Sequence, residues 1–247
     1  MKLTLNKFLI LPMLALVLGL SACGAPPVSQ GINDPYEAEN RIRHEANRAI
    51  DRTLLKPASG AYGSLLPGPV RDGVSNVAGN LSLPSVVLND ILQGRIDDAA
   101  HNSLRFLLNT TIGIGGLFDF GTKNGLELRD SDFGETLHVW GAREGPYLEI
   151  PLLGPSTTRD VFGKAVDLVI NPLNFAIQKP EAYVAPVASV ASRVGDRYRY
   201  SSTVDSVLYE SADSYSQARL IYLENRRYEL GATSDDSVYD LYEDLYD

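Results

Sequence analysis

Apolar residues recur every three or four positions along most of this chain, and this spacing predicts a mainly helical fold. Val70, Val74, Val77 and Leu81 fall on one helical face, and similar patterns follow further along. We predict helices at residues 34–55, 67–81, 84–92, 96–108, 132–140, 156–170, 181–194 and 211–230. Alternation over residues 147–150 indicates one short strand. The fold should therefore contain little or no strand.

Residues with special backbone preferences set the ends of the predicted helices. Asp34 suits the N-cap of the first helix, Pro35 suits its first position and Glu37 completes a capping box. Because proline interrupts helical hydrogen bonding, we expect this helix to end before Pro57. For the same reason, Pro84 is expected to begin a new helix.

The N-terminal segment has the pattern of a lipoprotein signal peptide. Lys2 and Lys7 accompany an apolar run too short to span a bilayer, and small residues lead to Cys23. Cys23 is the only cysteine, which excludes an intramolecular disulfide. We predict that residues 1–22 are removed and that Cys23 carries covalent lipid. The alternative is an ordinary secretory signal with a chance cysteine.

The rest of the chain is acidic, and its composition divides it into a tether, a helical domain and a tail. The 247 residues carry a formal net charge of −9, and the signal peptide contributes basic residues but no acidic ones. Such an acidic chain is a poor partner for nucleic acid, so attachment to a membrane must come from acyl chains and apolar surface. We expect a tether at residues 23–32, one helical domain at 33–231 and an acidic tail at 232–247. The tail is either solvated or folds on a partner.

An apolar, glycine-rich turn follows the helix predicted at residues 96–108. No charged residue lies between Arg105 and Asp119. The turn contains Gly113, Gly115, Gly116, Leu117 and Phe118. It is too short to span a bilayer and too rich in glycine for a stable core helix. Two interpretations stay open: a hinge or turn embedded in one membrane leaflet, and a buried helix end capped by glycines.

A narrow polar stripe runs along the helix predicted at residues 156–170. Asp160, Lys164, Asp167 and Asn171 recur at intervals of three or four residues, and apolar residues cover most of the remaining surface. This pattern suits a helix whose stripe lines a water-filled passage while its apolar side meets lipid or core. If so, leucine at both aspartates should change stability little. The alternative is a solvent-facing stripe in which Asp160 pairs with Lys164.

The sequence contains no recognisable catalytic or metal-binding pattern. His44, His101 and His138 lie on separate elements without metal-ligand spacing. The chain lacks a Gly-x-Ser-x-Gly elbow and a Walker motif, and Phe118 occupies the third glycine position of a dinucleotide-binding fingerprint. We therefore predict a protein that is not an enzyme and that uses no cofactor or metal.

Several segments, in order along the chain, resemble the MlaA/VacJ family of outer-membrane lipoproteins. The similar segments are residues 33–37, 75–81, 92–94, 105–119, 132–137, 145–147 and 151–160. The resemblance extends over residues 33–230. The first helix is more charged than the family pattern, and the acidic tail is not part of that pattern.

The resemblance implies a compact helical ring in the inner leaflet of the outer membrane of a Gram-negative bacterium, with an amphipathic central channel. Phospholipid that has reached the outer leaflet would pass to a soluble periplasmic carrier, and an ABC transporter would return it to the inner membrane. The family associates with trimeric porins. On this basis Arg159, Asp160 and Asp167 are channel candidates, and the Gly113–Phe118 turn matches a flexible, membrane-embedded segment. Gly24, where an Asp commonly marks retention in the inner membrane, favours the outer membrane.

Two alternative functions stay open beside lipid transport. One is a structural lipoprotein that scaffolds porins without passing lipid, and the other is an enzyme that hydrolyses lipid at an unfamiliar site. A transporter delivers intact phospholipid, a scaffold moves none, and an enzyme releases lysolipid or fatty acid. Analysis of the lipid products therefore separates the three.

Overall fold

The computed structural model describes residues 31–178 and 181–231, and this part of the chain is mainly helical, as predicted. The signal peptide, Cys23 and the acidic tail lie outside these residues. The helices are α1 (Glu37–Ile50), α2 (Lys56–Leu65), α3 (Gly68–Leu92), α4 (Ile96–Thr111), α5 (Phe120–Lys123), α6 (Phe133–Val139), α7 (Thr158–Ile170), α8 (Leu173–Ala176), α9 (Val184–Arg199), α10 (Ser201–Asp205) and α11 (Ser214–Glu229). Strands β1 (Tyr147–Ile150) and β2 (Gly154–Thr157) form an antiparallel hairpin.

The prediction that the first helix ends before Pro57 is wrong. A π-helical turn over Asp51–Leu55 joins α1 to α2, so helical structure continues through the proline. Pro57 lies in the first turn of α2, directly after this π turn. The wider π turn places the join between the two helices just before the proline.

Asp34 does not cap α1, because tertiary contacts occupy its carboxylate. Asn40 donates a hydrogen bond to it at 2.9 Å, and Tyr215 and Arg219 donate from α11. Arg219 also lies 3.3 Å from the carboxylate of Glu37. The residue predicted to start α1 thus joins this helix to the last helix of the described chain.

The predicted break at Pro84 is also absent, because α3 is one helix of 25 residues. A proline inside a helix removes one backbone hydrogen bond and crowds the preceding turn. The flanking side chains of Leu83 and Val86 are buried, and α3 packs against both α4 and α9. Packing therefore outweighs the local cost of the proline.

Strand β2 is not anticipated by the sequence analysis, although β1 is confirmed. Tyr147 of β1 lies opposite Thr157 of β2. Leu152 and Gly154 both have positive φ angles, 66° and 76°, which allow the chain to reverse within a few residues. The hairpin leads directly into α7 and so fixes where that helix starts.

The described part of the chain buries polar side chains and exposes apolar ones. Its buried polar and charged residues outnumber its buried hydrophobic residues. Large apolar residues with more than half of their surface exposed include Ile42, Leu54, Leu65, Ile114, Phe162, Leu168, Val169 and Phe175. A large exposed apolar surface marks contact with lipid or with another protein. Within residues 31–178 and 181–231, no helix has both the length and the apolar character needed to cross a bilayer.

Candidate functional site

Two of the channel candidates, Arg159 and Asp160, are buried in the first turn of α7. The side chain of Thr157 caps this helix by accepting a hydrogen bond from the backbone N–H of Asp160 at 3.3 Å. Arg159 Nε lies 3.2 Å from the Asp160 carboxylate, and Arg159 Nη1 lies 3.4 Å from His138 Nδ1. Desolvation and the nearby arginine charge lower the pKa of His138. The imidazole is therefore neutral near pH 7.

The Asp160 carboxylate connects α7 to α11. Tyr222 donates a hydrogen bond to it at 2.5 Å, and two nitrogens of Arg226 each lie 3.3 Å from its oxygens. Burial alone raises the pKa of Asp160, but the Arg226 charge and the Tyr222 hydrogen bond outweigh this effect and lower the pKa. Arg226 also donates to Asp132 at 2.7 Å, which extends the network to the start of α6.

A polar cleft of about 500 Å³ lies along this network. Asp160 and Lys164 of the predicted stripe both line it. The other lining residues are Arg95, Asp130, Ser131, Asp132, Glu135, Tyr222, Asn225, Arg226 and Glu229. The cleft thus contains charges of both signs, with an excess of negative charge.

Lys164 lies in the cleft without a carboxylate partner in the described part of the chain. Its ammonium group donates to Ser156 Oγ at 3.3 Å. Asp160 pairs with Arg159 and Arg226 rather than with Lys164, so the ion pair weighed from the sequence spacing is not formed. Desolvation lowers the pKa of Lys164, although nearby acidic groups oppose this effect. Its ammonium is therefore available to a ligand that enters the cleft.

The other two stripe residues hold neighbouring elements together. Asp167 accepts hydrogen bonds from the backbone N–H of Phe133 at 3.0 Å and from Asn89 at 2.9 Å, so it joins α7 to α6 and α3. Desolvation raises the pKa of Asp167 despite these hydrogen bonds. Asn171 follows α7, and its side chain accepts from the backbone N–H of Leu173 at 3.0 Å. Neither residue lines the cleft.

The outer surface of α7 is apolar. Phe162, Leu168 and Val169 are 59%, 78% and 68% exposed. On α9, Val187 and Val190 are similarly exposed. One helix therefore presents charge to the cleft and a large apolar surface to its surroundings.

The partners of Asp160 in the cleft are not predictable from the sequence pattern. Tyr222 and Arg226 lie four residues apart on one face of α11, a spacing that shows a shared face but not what that face contacts. Asp132 is recognisable as an N-cap and accepts from the backbone N–H of Glu135 at 2.8 Å. Its second contact, to Arg226, joins residues 94 positions apart in the sequence.

The glycine-rich turn depends on glycine at two positions because of close packing. A Cβ atom on Gly113 would collide with the backbone oxygen of Phe118, and one on Gly116 would lie 2.5 Å from Asn80 Cβ. Gly115 and Gly116 have φ angles of 68° and 93°, which favour glycine. A Cβ on Gly115 would meet open space.

The same turn presents apolar side chains outward from a fixed base. Leu117 and Phe118 are 42% and 47% exposed. At the base, Asp119 forms an ion pair with Arg105 at 2.8 Å and accepts from Asn109 at 3.1 Å. Exposure of the apolar residues argues against a buried helix end, while the hinge role of the turn stays a prediction.

The histidines bond to nearby protein groups rather than to one another. His44 Nε2 lies 3.0 Å from Ser214 Oγ, and His101 Nε2 lies 2.7 Å from the carbonyl oxygen of Glu127. No cluster of three or more metal-ligating side chains occurs in the two described ranges. The predicted lipid attachment at Cys23 lies outside these ranges.

Comparison with known proteins points to a single family. The model of the MlaA lipoprotein family matches residues 32–229. The chain is 30% identical over 213 residues to the intermembrane phospholipid transport system lipoprotein MlaA of Shigella flexneri, covering 85% of this chain and 82% of that protein. It is 34% identical over 189 residues to an uncharacterized protein of Rickettsia bellii, covering 76% and 73%. A solved structure described as the structural basis for maintenance of bacterial outer membrane lipid asymmetry matches with a TM-score of 0.70 and 28% identity, covering 80% of this chain and 99% of that chain.

Proposed function

The chain belongs to the MlaA lipoprotein family, and we propose that it removes phospholipid from the outer leaflet of the outer membrane and passes it to a soluble periplasmic carrier. A role in phospholipid transport and outer-membrane lipid asymmetry follows from its relatives and from the matching solved structure. In this proposal the chain is anchored by lipid on Cys23 and faces the periplasm of a Gram-negative bacterium.

The observation that carries the proposal is the two-sided character of α7. A phospholipid has a charged head group and two apolar tails, so its passage needs a polar lining beside an opening to lipid. Burying the head group without polar partners would cost several kcal/mol, about 2–7 for a single polar group. Helix α7 offers Asp160 and Lys164 on its cleft side and exposed Phe162 and Val169 on the opposite side.

The charges of the cleft suit a zwitterionic head group. The Lys164 ammonium has no carboxylate partner within the described residues, so it is free to contact a lipid phosphate. The excess of acidic groups nearby would accept the ammonium of a head group such as ethanolamine. Arg159 and Asp167 have a supporting place in the proposal, because their contacts fix α7 against α6 beside the cleft. Asn171 supports the turn from α7 into α8.

The proposed function is transport without chemical change to the lipid. No bond forms or breaks when lipid moves, so the chain needs no catalytic group, metal or cofactor. The exposed apolar residues of the Gly113–Phe118 turn would lie in the membrane leaflet. A trimeric porin is the proposed membrane partner, and the exposed Val187 and Val190 of α9 would face either the porin or lipid.

Reconstituted lipid transfer tests the proposal. The full-length, acylated chain is placed in vesicles of labelled phosphatidylethanolamine and phosphatidylglycerol, and intact lipid reaching the soluble carrier is measured. Lys164→Met should lower the transfer rate about tenfold, because it removes a charge-assisted hydrogen bond. Lys164→Arg should keep most of the activity. Lys123→Met removes an exposed lysine that does not line the cleft and serves as the control.

The lipid products decide among the alternatives. Release of lysolipid or fatty acid would identify an enzyme and contradict the proposal. A wild-type chain that binds porin but delivers no lipid would support the scaffolding function instead. Equal transfer by the wild type and by Lys164→Met would show that lipid does not pass this cleft.

A further inference from the structure

A second polar cavity lies between α2, α3 and α9, away from the cleft. It has a volume of about 250 Å³. Its lining residues are Tyr62, Gly68, Arg71, Asp72, Ser75, Ser192, Gly195, Tyr198 and Arg199. None of these residues lines the cleft. The cavity adjoins the N-terminal end of α3, whereas Asn89 contacts Asp167 near the other end of that helix. Arg71 and Asn89 are therefore about 27 Å apart along the helix axis at 1.5 Å per residue.

Two buried donors of the cavity have no hydrogen-bond partner among residues 31–178 and 181–231. These are the hydroxyl group of Tyr62 and the Nε atom of Arg71. The Arg71 guanidinium stacks 4.9 Å from the ring centre of Tyr198, and no described carboxylate forms an ion pair with it. Buried polar groups are normally paired, because desolvation without a partner costs about 1–3 kcal/mol each. Two unpaired donors in one cavity point to a ligand.

The charge of the cavity favours an anion. Arg71 and Arg199 contribute two positive charges, and Asp72, which pairs with Arg199 at 2.8 Å, contributes one negative charge. The positive end of the α3 dipole adds to this field at Gly68. The hydroxyl groups of Ser75 and Ser192 hydrogen-bond to each other at 2.9 Å, which leaves one further O–H donor. A guanidinium with an unpaired N–H beside hydroxyl donors suits a phosphate.

The aromatic walls of the cavity pack against two glycines. A Cβ atom on Gly63 would collide with the Tyr198 ring, and one on Gly195 would lie 3.2 Å from the Tyr62 ring. Both glycines therefore allow the aromatic walls to approach the neighbouring helices closely. The volume of about 250 Å³ is smaller than the roughly 300–1,000 Å³ of sites for drug-sized ligands, so it suits a head group rather than a whole lipid.

We propose that this cavity binds a phosphate-type anion through Arg71 and Tyr62. We further propose that the anion is the phosphate of a phospholipid head group, held at a station separate from the cleft. The first statement rests on the geometry of the cavity alone. The second rests on the proposed function, because the same groups would also accept free phosphate.

Direct binding measurements test both statements. The full-length, acylated chain in uncharged detergent micelles is titrated with inorganic phosphate and, separately, with dihexanoyl phosphatidylglycerol. Saturable binding is expected for the lipid probe, weakened at least about tenfold by Arg71→Met and several-fold by Tyr62→Phe. Arg71→Lys should restore part of the affinity. Lys123→Met changes an exposed lysine that lines neither the cleft nor this cavity, so the affinity of that variant should match that of the wild type.

The outcomes separate failure of the cavity from failure of lipid transport. Equal affinity of the wild type, Arg71→Met and Tyr62→Phe, or no saturable binding of either probe, would overturn the proposal. Binding of inorganic phosphate without binding of the lipid probe would overturn the head-group statement. The chain could bind the lipid probe in an Arg71-dependent way and yet transfer no lipid in vesicles. That result would support head-group binding in the cavity and contradict the proposed function.

Discussion

The cleft beside α7 and the cavity between α2, α3 and α9 contain the same kinds of side chain but differ in how many of them the protein itself pairs. In the cleft, Arg226 contacts Asp132, Asp160 and Glu229, and Tyr222 donates to Asp160. In the cavity, the Tyr62 hydroxyl and the Arg71 Nε atom have no partner in the described residues. The cleft residues therefore hold helices together as well as lining a site, whereas Tyr62 and Arg71 of the cavity retain donors for a ligand.

This difference separates effects on stability from effects on binding. Removing the Asp160 carboxylate leaves the buried Arg159 without a counter-charge, so the folded state should be weakened. Removing a cavity donor leaves few protein contacts broken, so ligand affinity should change more than stability. Variants in the two sites can therefore be compared in one pair of measurements, urea unfolding and lipid binding.

The largest expected effect comes from Asp160→Asn in the cleft. The change removes the negative charge that faces Arg159 and Arg226, both of which are largely buried. Loss of one partner from a buried ion pair typically costs about 3–5 kcal/mol, and we expect a decrease of about 3 kcal/mol in the free energy of unfolding. Urea unfolding followed by circular dichroism in detergent measures this change.

Asp97→Asn provides the matched control, because Asp97 is exposed in the first turn of α4. It should change the free energy of unfolding by less than about 0.5 kcal/mol. If Asp160→Asn unfolds like the wild type, the Asp160 network contributes nothing to the fold. That result would favour the expectation from the sequence, in which the stripe is hydrated and dispensable for stability.

A smaller effect is expected from Gly163→Ala, which tests how α7 is held beside the cleft. A Cβ atom there would collide with the backbone of Gly134 in α6. Because backbone atoms cannot turn away as a side chain can, we expect a loss of about 1–3 kcal/mol. Gly79→Ala in α3 is the control, since its Cβ would meet open space.

The control should stabilise the chain by about 0.5–1 kcal/mol, because alanine favours a helix over glycine. Measuring both variants in the same urea series separates the effect of the collision with Gly134 from the effect of the helix propensity of alanine. Equal stabilisation by the two changes would mean that α6 and α7 do not pack at Gly163.

The sequence predicts well those elements whose signals are local. Gly94 ends α3 with a φ angle of 75°, Asp132 caps α6, and the alternation of residues 147–150 becomes β1. The breaks expected at Pro57 and Pro84 do not occur, because a π turn accommodates the first proline and packing supports the second. Local rules thus fail where tertiary contacts oppose them.

The candidate site is predictable only in part for the same reason. Helical periodicity puts Asp160 and Lys164 on one face, and both residues line the cleft. Periodicity does not show that Arg226 and Tyr222, far along the chain, bind the Asp160 carboxylate. The cavity has no signature in the sequence at all, since its walls come from three helices that meet only in the folded chain.

A still smaller effect on stability is expected from Arg71→Met in the cavity. The variant loses the stacking of the guanidinium on Tyr198 but no ion pair, and it also removes a buried unpaired donor, so the cost should be below about 1 kcal/mol. The expected tenfold loss of lipid-probe affinity would then occur in a chain that is nearly as stable as the wild type. A loss of several kcal/mol in urea unfolding would show instead that Arg71 serves the fold, and would remove the contrast between the two sites.

The smallest effect at neutral pH is expected from Asp167→Asn, beside the cleft. The variant weakens hydrogen bonds from Phe133 and Asn89 but removes a charge that desolvation disfavours. These two consequences oppose each other, so we expect a net change below about 0.5 kcal/mol. The test of this balance is the pH dependence of the difference between the wild type and the variant.

The two aspartates of α7 should respond to pH in opposite directions. The folded-state pKa of Asp167 is raised, so the wild type should gain stability over Asp167→Asn as the pH falls through that pKa. The pKa of Asp160 is lowered, so its contribution is complete above the unfolded-state pKa and is lost as the pH falls through the folded-state pKa. Urea unfolding of both variants between neutral and acidic pH measures these slopes. If the stability differences of the two variants from the wild type change with pH in the same direction, the two carboxylates share one environment. Charge pairing at Asp160 and desolvation at Asp167 would then not distinguish the two ends of α7.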